Sequence, residues 1–558
     1  MMQNKAKALL TGIVVAALLF SGSSCQRRAA EPKLVVVIVV DQLRFDYLER
    51  FKASFGSGGF RRLMERGADF ANANYIYMPT YTAPGHAAIF TGSCPAYNGI
   101  VGNSWYDRES RRERVMVSDD AAKIVTSYGV QDSTKLTKPA SPRVLIGATI
   151  GDQMRLSDGF RSKVIAISLK DRAAVLPGGR DANAAYWFDP SLGQFISSDY
   201  YLSELPSWVY KFNALQGPDR FFGKVWDRVL PPEAYQLTQG VTEAGNSPLG
   251  RHFPYTINGG AQRPGEAFYK AFLYSPFASE YLADFAKAAI EHENLGSDQY
   301  PDLLAISFST PDYVGHAYGP DSEEIEDTYI RLDRVLDEFF QYLDKQVGLS
   351  NTILVLTADH GVSPVPQFLS LNKLDAGTID PVKCRDAVNA ALSSRFGEGK
   401  WVLDIVNEQV YLDRDLMAAQ KADPPEVERV AAQALLTVPG IVLSFTRTQI
   451  LSGEMPAGPI ARKVSNGFNP ARSGDVSFVT KPFSFLSEGD AATTHGSPYD
   501  YDTHVPLLLA GPGIVPARYY TECSPSDIAP TLAALLHIEP PPNIVGRVLV
   551  EAIKKEPR

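Results

Sequence analysis

The sequence predicts an α/β protein with a mainly parallel central sheet flanked by helices. Continuous apolar, β-branched runs recur along the chain, and strands buried on both faces of a parallel sheet have this composition. Helical patterns lie between the runs, as in successive βαβ units. With 558 residues, 45% of them hydrophobic, the chain can bury a large core, and we expect more than one domain.

Five apolar runs are the candidate strands, and polar residues follow most of them. The runs cover residues 34–40, 163–169, 302–308, 352–357 and 504–510. Asp41 ends the first, Lys170 the second and the pair Asp359-His360 the fourth, while Asp312 follows the third. In such folds ligands bind beyond the carboxyl ends of the strands, so we expect a polar site at that edge.

The clearest helical pattern covers residues 321 to about 346. Its apolar positions, four and three apart in alternation, are Ile325, Tyr329, Leu332, Leu336, Phe339 and Leu343. Asp321 and Glu324 are expected to cap its start.

Two stretches are predicted to be insertions around the site. Residues from about 181 to 290 are rich in Tyr, Trp, Phe and Pro and show weak periodicity. Residues from about 371 to 485 combine a predicted strand over 401–412, a helix after Pro424-Pro425, and loops. Residues 30–558 are expected to form the catalytic domain, in which these two stretches are insertions.

The first 25 residues have the pattern of an export signal. Lys5 and Lys7 precede an apolar run over residues 9–20, and small residues then lead to Cys25. The run is short for a membrane span and suits a secretory signal. Two interpretations stay open: a plain signal peptide, or a lipoprotein signal that attaches the protein to a membrane through a lipidated Cys25. Both predict an exported protein, periplasmic or anchored to the outer membrane.

Charge and cysteine content add two limits. The formal net charge of −9 argues against a nucleic-acid-binding surface, which is normally basic, so no nucleic-acid partner is expected. Apart from Cys25, the cysteines are Cys94, Cys384 and Cys523, an odd number without metal-binding spacing. A disulfide among them stays open.

The segment 78–92 is the candidate nucleophile region. Thr82 comes just before a predicted helix start, and Pro84 suits a first helical turn. Free N–H groups and the positive dipole at a helix N-terminus would hold an anion beside Thr82. Thr is also a common N-cap, so by itself the segment predicts only a capped helix.

Asp and His residues supply a candidate metal centre. They are Asp41, Asp312, His316, Asp359, His360 and His495. Each alone fits a capping Asp or a structural His, but together at one sheet edge they would concentrate negative charge. Divalent cations resolve this, and mixed Asp/His sets suit zinc. Two adjacent metals are typical of phosphoryl displacement. His86 is predicted to pack or hydrogen-bond instead.

Seven short motifs, in order from residue 34 to about 510, carry a resemblance to a known family. They are Val39-Val40-Asp41-Gln42, Thr82-Ala83-Pro84-Gly85-His86, Gly102-Asn103, Lys170-Asp171-Arg172, Asp312-Tyr313-Val314-Gly315-His316, Ala358-Asp359-His360-Gly361 and His495-Gly496-Ser497-Pro498-Tyr499-Asp500. As an ordered set they resemble the alkaline phosphatase superfamily, in its exported bacterial branch with a Thr nucleophile, which is related to type I phosphodiesterases.

The resemblance implies two zinc ions per chain and a phosphothreonine intermediate at Thr82. The ligands of the zinc that stabilises the departing oxygen would be Asp312, His316 and His495, and those of the zinc that activates Thr82 would be Asp41, Asp359 and His360. Asn103, Lys170 and Arg172 resemble the groups that hold the phosphate oxygens.

Lys170 and Arg172 also point to the substrate class on physical grounds. A phosphate monoester carries about two negative charges near neutral pH, and a Lys and a bidentate Arg would favour this dianion over a diester. Small phosphomonoesters are therefore the predicted substrates. One alternative is a nucleotide pyrophosphatase/phosphodiesterase with the same six ligands and Thr82. Another is a non-catalytic surface lipoprotein stabilised by metals, although structural metal sites usually have four protein ligands.

Overall fold

An eleven-stranded sheet forms the centre of this computed structural model, which describes residues 32–135, 137–215, 217–235, 245–487, 489 and 491–555. The predicted export signal and Cys25 lie outside these residues. The strands are β1 Leu34–Val40, β2 Ala68–Phe70, β3 Ser104–Asp107, β4 Arg112–Val115, β5 Ile124–Thr126, β6 Gly129–Gln131, β7 Val164–Ser168, β8 Ala184–Asp189, β9 Gln194–Ser198, β10 Val225–Trp226, β11 Tyr255–Thr256, β12 Asp302–Phe308, β13 Thr352–Thr357, β14 Gly377–Ile379, β15 Val402–Val406, β16 Gln409–Leu412, β17 Ile441–Thr446, β18 Val476–Thr480, β19 Ser484–Leu486, β20 Leu507–Ala510 and β21 Ala517–Tyr519.

The strand order of the large sheet is β21-β2-β20-β13-β1-β12-β7-β8-β9-β5-β6. Its five central strands, β13 to β8, run parallel, with β1 paired along its whole length to β12. The predicted α/β class is confirmed, but the sheet is mixed. The run at 504–510 forms a strand only from Leu507, and this strand is antiparallel to β13 and β2.

Helices cover both faces of this sheet. The α-helices span Phe45–Arg50, Phe60–Arg66, Thr82–Thr91, Pro95–Asn98, Ile150–Ser157, Arg172–Gly178, Ser207–Leu215, Glu266–Phe272, Phe277–Glu293, Thr310–Tyr318, Glu323–Gln346, Pro366–Leu371, Pro381–Phe396, Arg414–Ala419, Pro424–Leu435, Arg447–Ser452, Pro459–Gly467, Asp500–Thr503 and Ile528–Leu536. None of these described helices has the length and apolar character that a membrane span requires.

The alternating side chains of β1 belong to two cores. Val36 and Ile38 pack with the helices Phe277–Glu293 and Glu323–Gln346 on one face. Val35 and Val37 pack on the other face with apolar residues of the helices Thr82–Thr91, Ile150–Ser157 and Ile528–Leu536. Each such fully buried Val or Ile stabilises the fold by about 1.5–3 kcal/mol, so the strand that ends at Asp41 is held rigidly.

The cap of the long helix differs from the prediction. Its N-cap is Ser322, whose Oγ accepts a hydrogen bond from the N–H of Ile325 at 3.2 Å. Asp321 instead pairs with Arg50 at 2.7 Å, and Glu324 accepts a hydrogen bond from the Tyr255 hydroxyl. Tertiary partners therefore bind both residues that the sequence predicted as caps.

The stretch predicted as an insertion at about 181–290 begins inside the large sheet. Strands β8 and β9 extend it, and Tyr186, Trp187 and Phe188 of β8 are buried. Aromatic rings fill the two faces of this strand in place of the β-branched residues that marked the other strands, which is why the boundary was wrong.

Residues 377–486, here called the inserted domain, coincide to within a few residues with the second predicted insertion. They carry a four-stranded sheet, β15-β16-β18-β17, with its own core under the helices Pro381–Phe396 and Pro424–Leu435. The predicted strand over 401–412 is a hairpin, because Asn407 and Glu408 turn the chain between β15 and β16. The described residues together form one compact unit, and Cys94, Cys384 and Cys523 are unpaired and buried.

Candidate active site

Thr82 is the first residue of the helix Thr82–Thr91, here called the nucleophile helix for the role that the sequence predicts for Thr82. Its side chain is buried, and Oγ1 lies 3.4 Å from Nε2 of His360. Gly85 in the first turn permits this approach, since a Cβ there would lie 2.2 Å from the carbonyl oxygen of Asp359. The helix start therefore packs directly on the turn after β13.

Three histidines are oriented in the same way. Nδ1 of His316 lies 2.7 Å from the carbonyl oxygen of Thr493, Nδ1 of His360 lies 2.8 Å from that of Gly361, and Nδ1 of His495 lies 2.8 Å from that of Thr80. Hydrogen bonds from Nδ1 to carbonyl groups fix the ring orientation and direct Nε2 towards a metal.

The carboxylates converge on these Nε2 atoms. Oδ1 of Asp312 lies 3.1 Å from Nε2 of His316 and 3.7 Å from Nε2 of His495. Nε2 of His360 lies 3.3 Å from Oδ1 of Asp41 and 3.5 Å from Oδ2 of Asp359. All six predicted ligands are thus brought together at the carboxyl edge of the sheet.

Two compact ligand sets lie within this cluster. In each, the donor atoms are within 4.8 Å of one another. Asp312, His316 and His495 form one set, which matches the predicted grouping. Asp41 and His360 form the other with Asp312, where the prediction had Asp359. The Asp312 carboxylate therefore lies between the two sets.

The chemistry of this cluster fits divalent cations. Oδ1 of Asp41 and Oδ2 of Asp359 are buried, and the described residues supply no hydrogen bond to either. An uncompensated buried carboxylate is costly, so such oxygens are normally paired or coordinate a metal. Neutral imidazole and carboxylate together are a donor set that zinc accepts.

Lys170 supplies positive charge inside the cluster. Its Nζ lies 2.6 Å from Oδ2 of Asp41 and 2.5 Å from Oδ2 of Asp312. Burial lowers the pKa of Lys170, but Asp312 and Asp41 raise it more, so its pKa lies above the usual value. Burial likewise lowers the pKa of His360, and Asp359 and Asp41 raise it to about 9.

Asn103 and Arg172 lie beside the nucleophile helix. Oδ1 of Asn103 accepts a hydrogen bond from the N–H of Ala83 at 3.0 Å, which leaves its amide N–H groups available. Arg172 begins a helix that packs against the nucleophile helix. Its nearest acidic partner, Asp171, is 3.8 Å away, and its side chain is 26% exposed. The described residues give this guanidinium no shorter ion pair, which leaves it able to bind an anion.

Sequence reasoning missed Gln42. This residue has a left-handed φ of 67°, its N–H donates to Oδ1 of Asp359 at 3.2 Å, and its Nε2 donates to Oδ1 of Asp312 at 2.7 Å. It therefore orients two carboxylates. The position of Gln42 directly after Asp41 was the only signal in the sequence.

His86 forms hydrogen bonds, as expected. Its two ring nitrogens lie 2.8 Å from the carbonyl oxygen of Thr82 and 2.8 Å from Oγ of Ser307.

Comparison with known proteins decides the family. Residues 35–437 match the type I phosphodiesterase / nucleotide pyrophosphatase family. The chain belongs to this family.

Two relatives that are similar over nearly the whole chain are named alkaline phosphatases. PhoV of Synechococcus elongatus is 39% identical, with 94% of each chain covered. PafA of Elizabethkingia meningoseptica is 37% identical, with 98% of this chain and 99% of that protein covered. The crystal structure of PafA superposes with a TM-score of 0.86 over 95% of this chain and 100% of PafA at 36% identity. The expected kinship with bacterial alkaline phosphatases, and with it the prediction of an enzyme, is confirmed.

A further solved structure is of a PafA variant with four substitutions. In chain order, they replace a Thr by Ser and then an Asn, a Lys and an Arg by Ala.

Proposed function

We propose that this protein hydrolyses small phosphate monoesters with two zinc ions and a phosphothreonine intermediate at Thr82. The observation that carries the proposal is the position of Thr82, whose Oγ1 lies 3.4 Å from Nε2 of His360 at a helix N-terminus. A hydroxyl held against the proposed metal ligands, at the positive end of a helix dipole, has the surroundings of an activated nucleophile.

The residues of the chain then have distinct tasks. Bound zinc ions supply Lewis-acid charge that stabilises oxygen anions. Oγ of Thr82 attacks phosphorus, the bond from phosphorus to the ester oxygen breaks, and the alcohol leaves. Water then cleaves the phosphothreonine, which releases phosphate and restores Thr82. Asn103, oriented by the N–H of Ala83, and Arg172 would hold the non-bridging oxygens.

Two positive side chains favour monoesters. Lys170 and Arg172 place cationic groups at this edge of the sheet, and the transferred group of a monoester carries one more negative charge than that of a diester. The PafA variant supports these roles, because the residue types replaced in it occur in the same order as Thr82, Asn103, Lys170 and Arg172.

A diesterase is the second candidate. The matched family is described as type I phosphodiesterase / nucleotide pyrophosphatase, and the six ligands and Thr82 would serve that reaction equally. The Lys170 and Arg172 pair argues against it, since a singly charged diester does not need both cations.

Trapping the intermediate tests the proposal. Acid quenching during turnover of an aryl phosphate, followed by peptide mass spectrometry, should find phosphate on Thr82 in the zinc-loaded protein. Thr82→Ala should retain its zinc, lose the adduct and turn over at least about a thousandfold more slowly. Thr82→Ser, which keeps a hydroxyl, is the matched control and should form the adduct. Normal turnover by Thr82→Ala would overturn the nucleophile assignment.

We further propose that the protein is exported, with Cys25 as the site of lipid attachment. A labelled fatty acid should enter the wild-type protein and not Cys25→Ser. Export of a wild-type protein that carries no labelled fatty acid would overturn lipid attachment at Cys25 and would support a plain signal peptide.

A further inference from the structure

The turn Asn407–Glu408 of the inserted domain has an unusual backbone. Both residues are left-handed, with φ of 52° and 57°, and they join β15 to β16 as a two-residue hairpin turn. Such turns favour Asn at the first position and Gly at the second. The Cβ of Glu408 makes its conformation costly, so some other interaction must account for a Glu there. Outliers of this kind are often found at functional sites.

The Glu408 side chain reaches the residue that precedes the nucleophile. Glu408 is only 7% exposed, and the hydroxyl of Tyr81 donates to its Oε2 at 3.4 Å. The Tyr81 ring packs edge-on against the ring of His495, with centroids 5.3 Å apart. A Cβ at Gly496 would lie 2.8 Å from the Tyr81 ring. Tyr81 is thus held between the inserted domain and a metal-ligand loop, one residue from Thr82.

Asn407 reaches the loop that carries Asn103. Nδ2 of Asn407 donates to the carbonyl oxygen of Ser104 at 2.5 Å. A Cβ at Gly102 would lie 2.0 Å from the same Nδ2, so Asn407 packs on both residues that flank Asn103. This contact ties the inserted domain to the loop that carries Asn103.

The same domain holds the segment before Tyr81 and the loop after His495. The carbonyl oxygen of Lys463 accepts a hydrogen bond from the N–H of Met78 at 3.1 Å. Nζ of Lys463 donates to the carbonyl oxygen of Pro498 at 2.8 Å. Nδ2 of Asn466 donates to the carbonyl oxygen of Ile76 at 2.8 Å. The inserted domain therefore supports the site from several sides.

We propose that Glu408 and Asn407 are positioning residues of the active site. Glu408 acts on Thr82 through Tyr81, and Asn407 acts on Asn103 through the backbone of residues 102–104. The proposal rests on the proposed function, in which Thr82 is the nucleophile and Asn103 binds phosphate. It predicts that Glu408 controls the phosphorylation rate, whereas Asn407 controls phosphate affinity.

Glu408→Gly separates positioning from stability. Gly relieves the left-handed backbone, so the thermal midpoint should equal or exceed that of the wild type while kcat falls about tenfold at nearly constant KM. Lys421→Gly is the matched control, because Lys421 is also left-handed, with φ of 52°, but exposed. It should gain stability and keep kcat. Full kcat in a stable Glu408→Gly variant would overturn the role of Glu408.

A double-mutant cycle tests the route through Tyr81. Tyr81→Phe should lower kcat as much as Glu408→Gly does. The double variant should be no slower than either single variant. Glu408→Gln still accepts a hydrogen bond, so it should keep most of the wild-type kcat. Additive losses in kcat would overturn the route through Tyr81.

For Asn407→Gly, calorimetry should show inorganic phosphate binding about tenfold more weakly, and an unchanged phosphate affinity would overturn the role of Asn407. If the wild type cleaves only diesters, the proposed function fails, and the cycle is then measured on the diester.

Discussion

Oδ2 of Asp41 lies 2.6 Å from Nζ of Lys170, although their strands, β1 and β7, are separated by β12 in the sheet. The parallel arrangement brings the carboxyl ends of all three strands to one edge, where Asp312 pairs with the same ammonium. One lysine therefore pairs with two of the carboxylates proposed as metal ligands, and it is also a residue that the family resemblance assigns to phosphate.

Replacing the cationic residues should change substrate preference. Lys170→Ala and Arg172→Ala should each lower kcat/KM for an aryl monoester by about 10–100-fold, because a hydrogen bond to a charged group contributes about 1.5–3 kcal/mol. For the matching diester we expect losses below about threefold. Initial rates on both esters measure the effect.

Lys163→Ala is the matched control for Lys170. Lys163 precedes the same strand, β7, at its opposite end, where its ammonium donates to the carbonyl oxygen of Glu293. Its removal should leave both rates unchanged. Equal losses on the two esters in the Lys170 and Arg172 variants would show that these residues do not respond to the second negative charge.

Metal removal should destabilise the protein as well as inactivate it. Without cations, the charge of the buried Asp41 and Asp359 carboxylates is offset only in part, by Lys170 and His360. Elemental analysis should find two zinc ions per chain, and chelation should lower the thermal midpoint and abolish turnover. Free zinc at a hundred times its dissociation constant should add about 2.7 kcal/mol per site. A chelated protein with unchanged midpoint and activity would contradict the metal assignment.

Glu326 should make stability depend on pH. Oε2 of this residue is buried on the helix Glu323–Gln346 without a hydrogen bond from the described residues. Burial raises its pKa from 4.5 to about 7, although Arg50 lowers it. The native state therefore holds this proton more tightly than the unfolded state, and its contribution to the free energy of unfolding falls as pH rises from about 4.5 to about 7.

Glu326→Gln should remove that loss. The thermal midpoint of the variant minus that of the wild type should increase as pH rises from 5 to 8. Glu338 is exposed on the same helix. For Glu338→Gln, the difference in thermal midpoint from the wild type should not change with pH. Parallel midpoints for the wild type and Glu326→Gln across this range would refute the assignment.

Elements buried on both faces were predictable from the sequence. The runs that became β1, β12 and β13 consist largely of β-branched and aliphatic residues. The positions of Asp41, Asp312 and Asp359 after these runs then placed all three at one edge of the sheet. The strand β8 was missed because its buried faces are filled by aromatic rings, which gave no β-branched run.

Contacts between distant segments were not predictable. Gln42 bridges two carboxylates only because β1 lies between β12 and β13. Glu408 is separated from Tyr81 by more than 300 residues, and no local pattern connects them. The hairpin at 401–412 looked like one strand because its turn, Asn407–Glu408, lacks the usual Gly.

The ratio of initial rates on an aryl phosphate monoester and its diester, measured with zinc-loaded protein, tests the central claim most directly. A ratio strongly in favour of the monoester is predicted, because Lys170 and Arg172 complement a dianion. A ratio in favour of the diester would contradict the phosphatase assignment and would make the protein a phosphodiesterase with the same Thr82 and metal ligands.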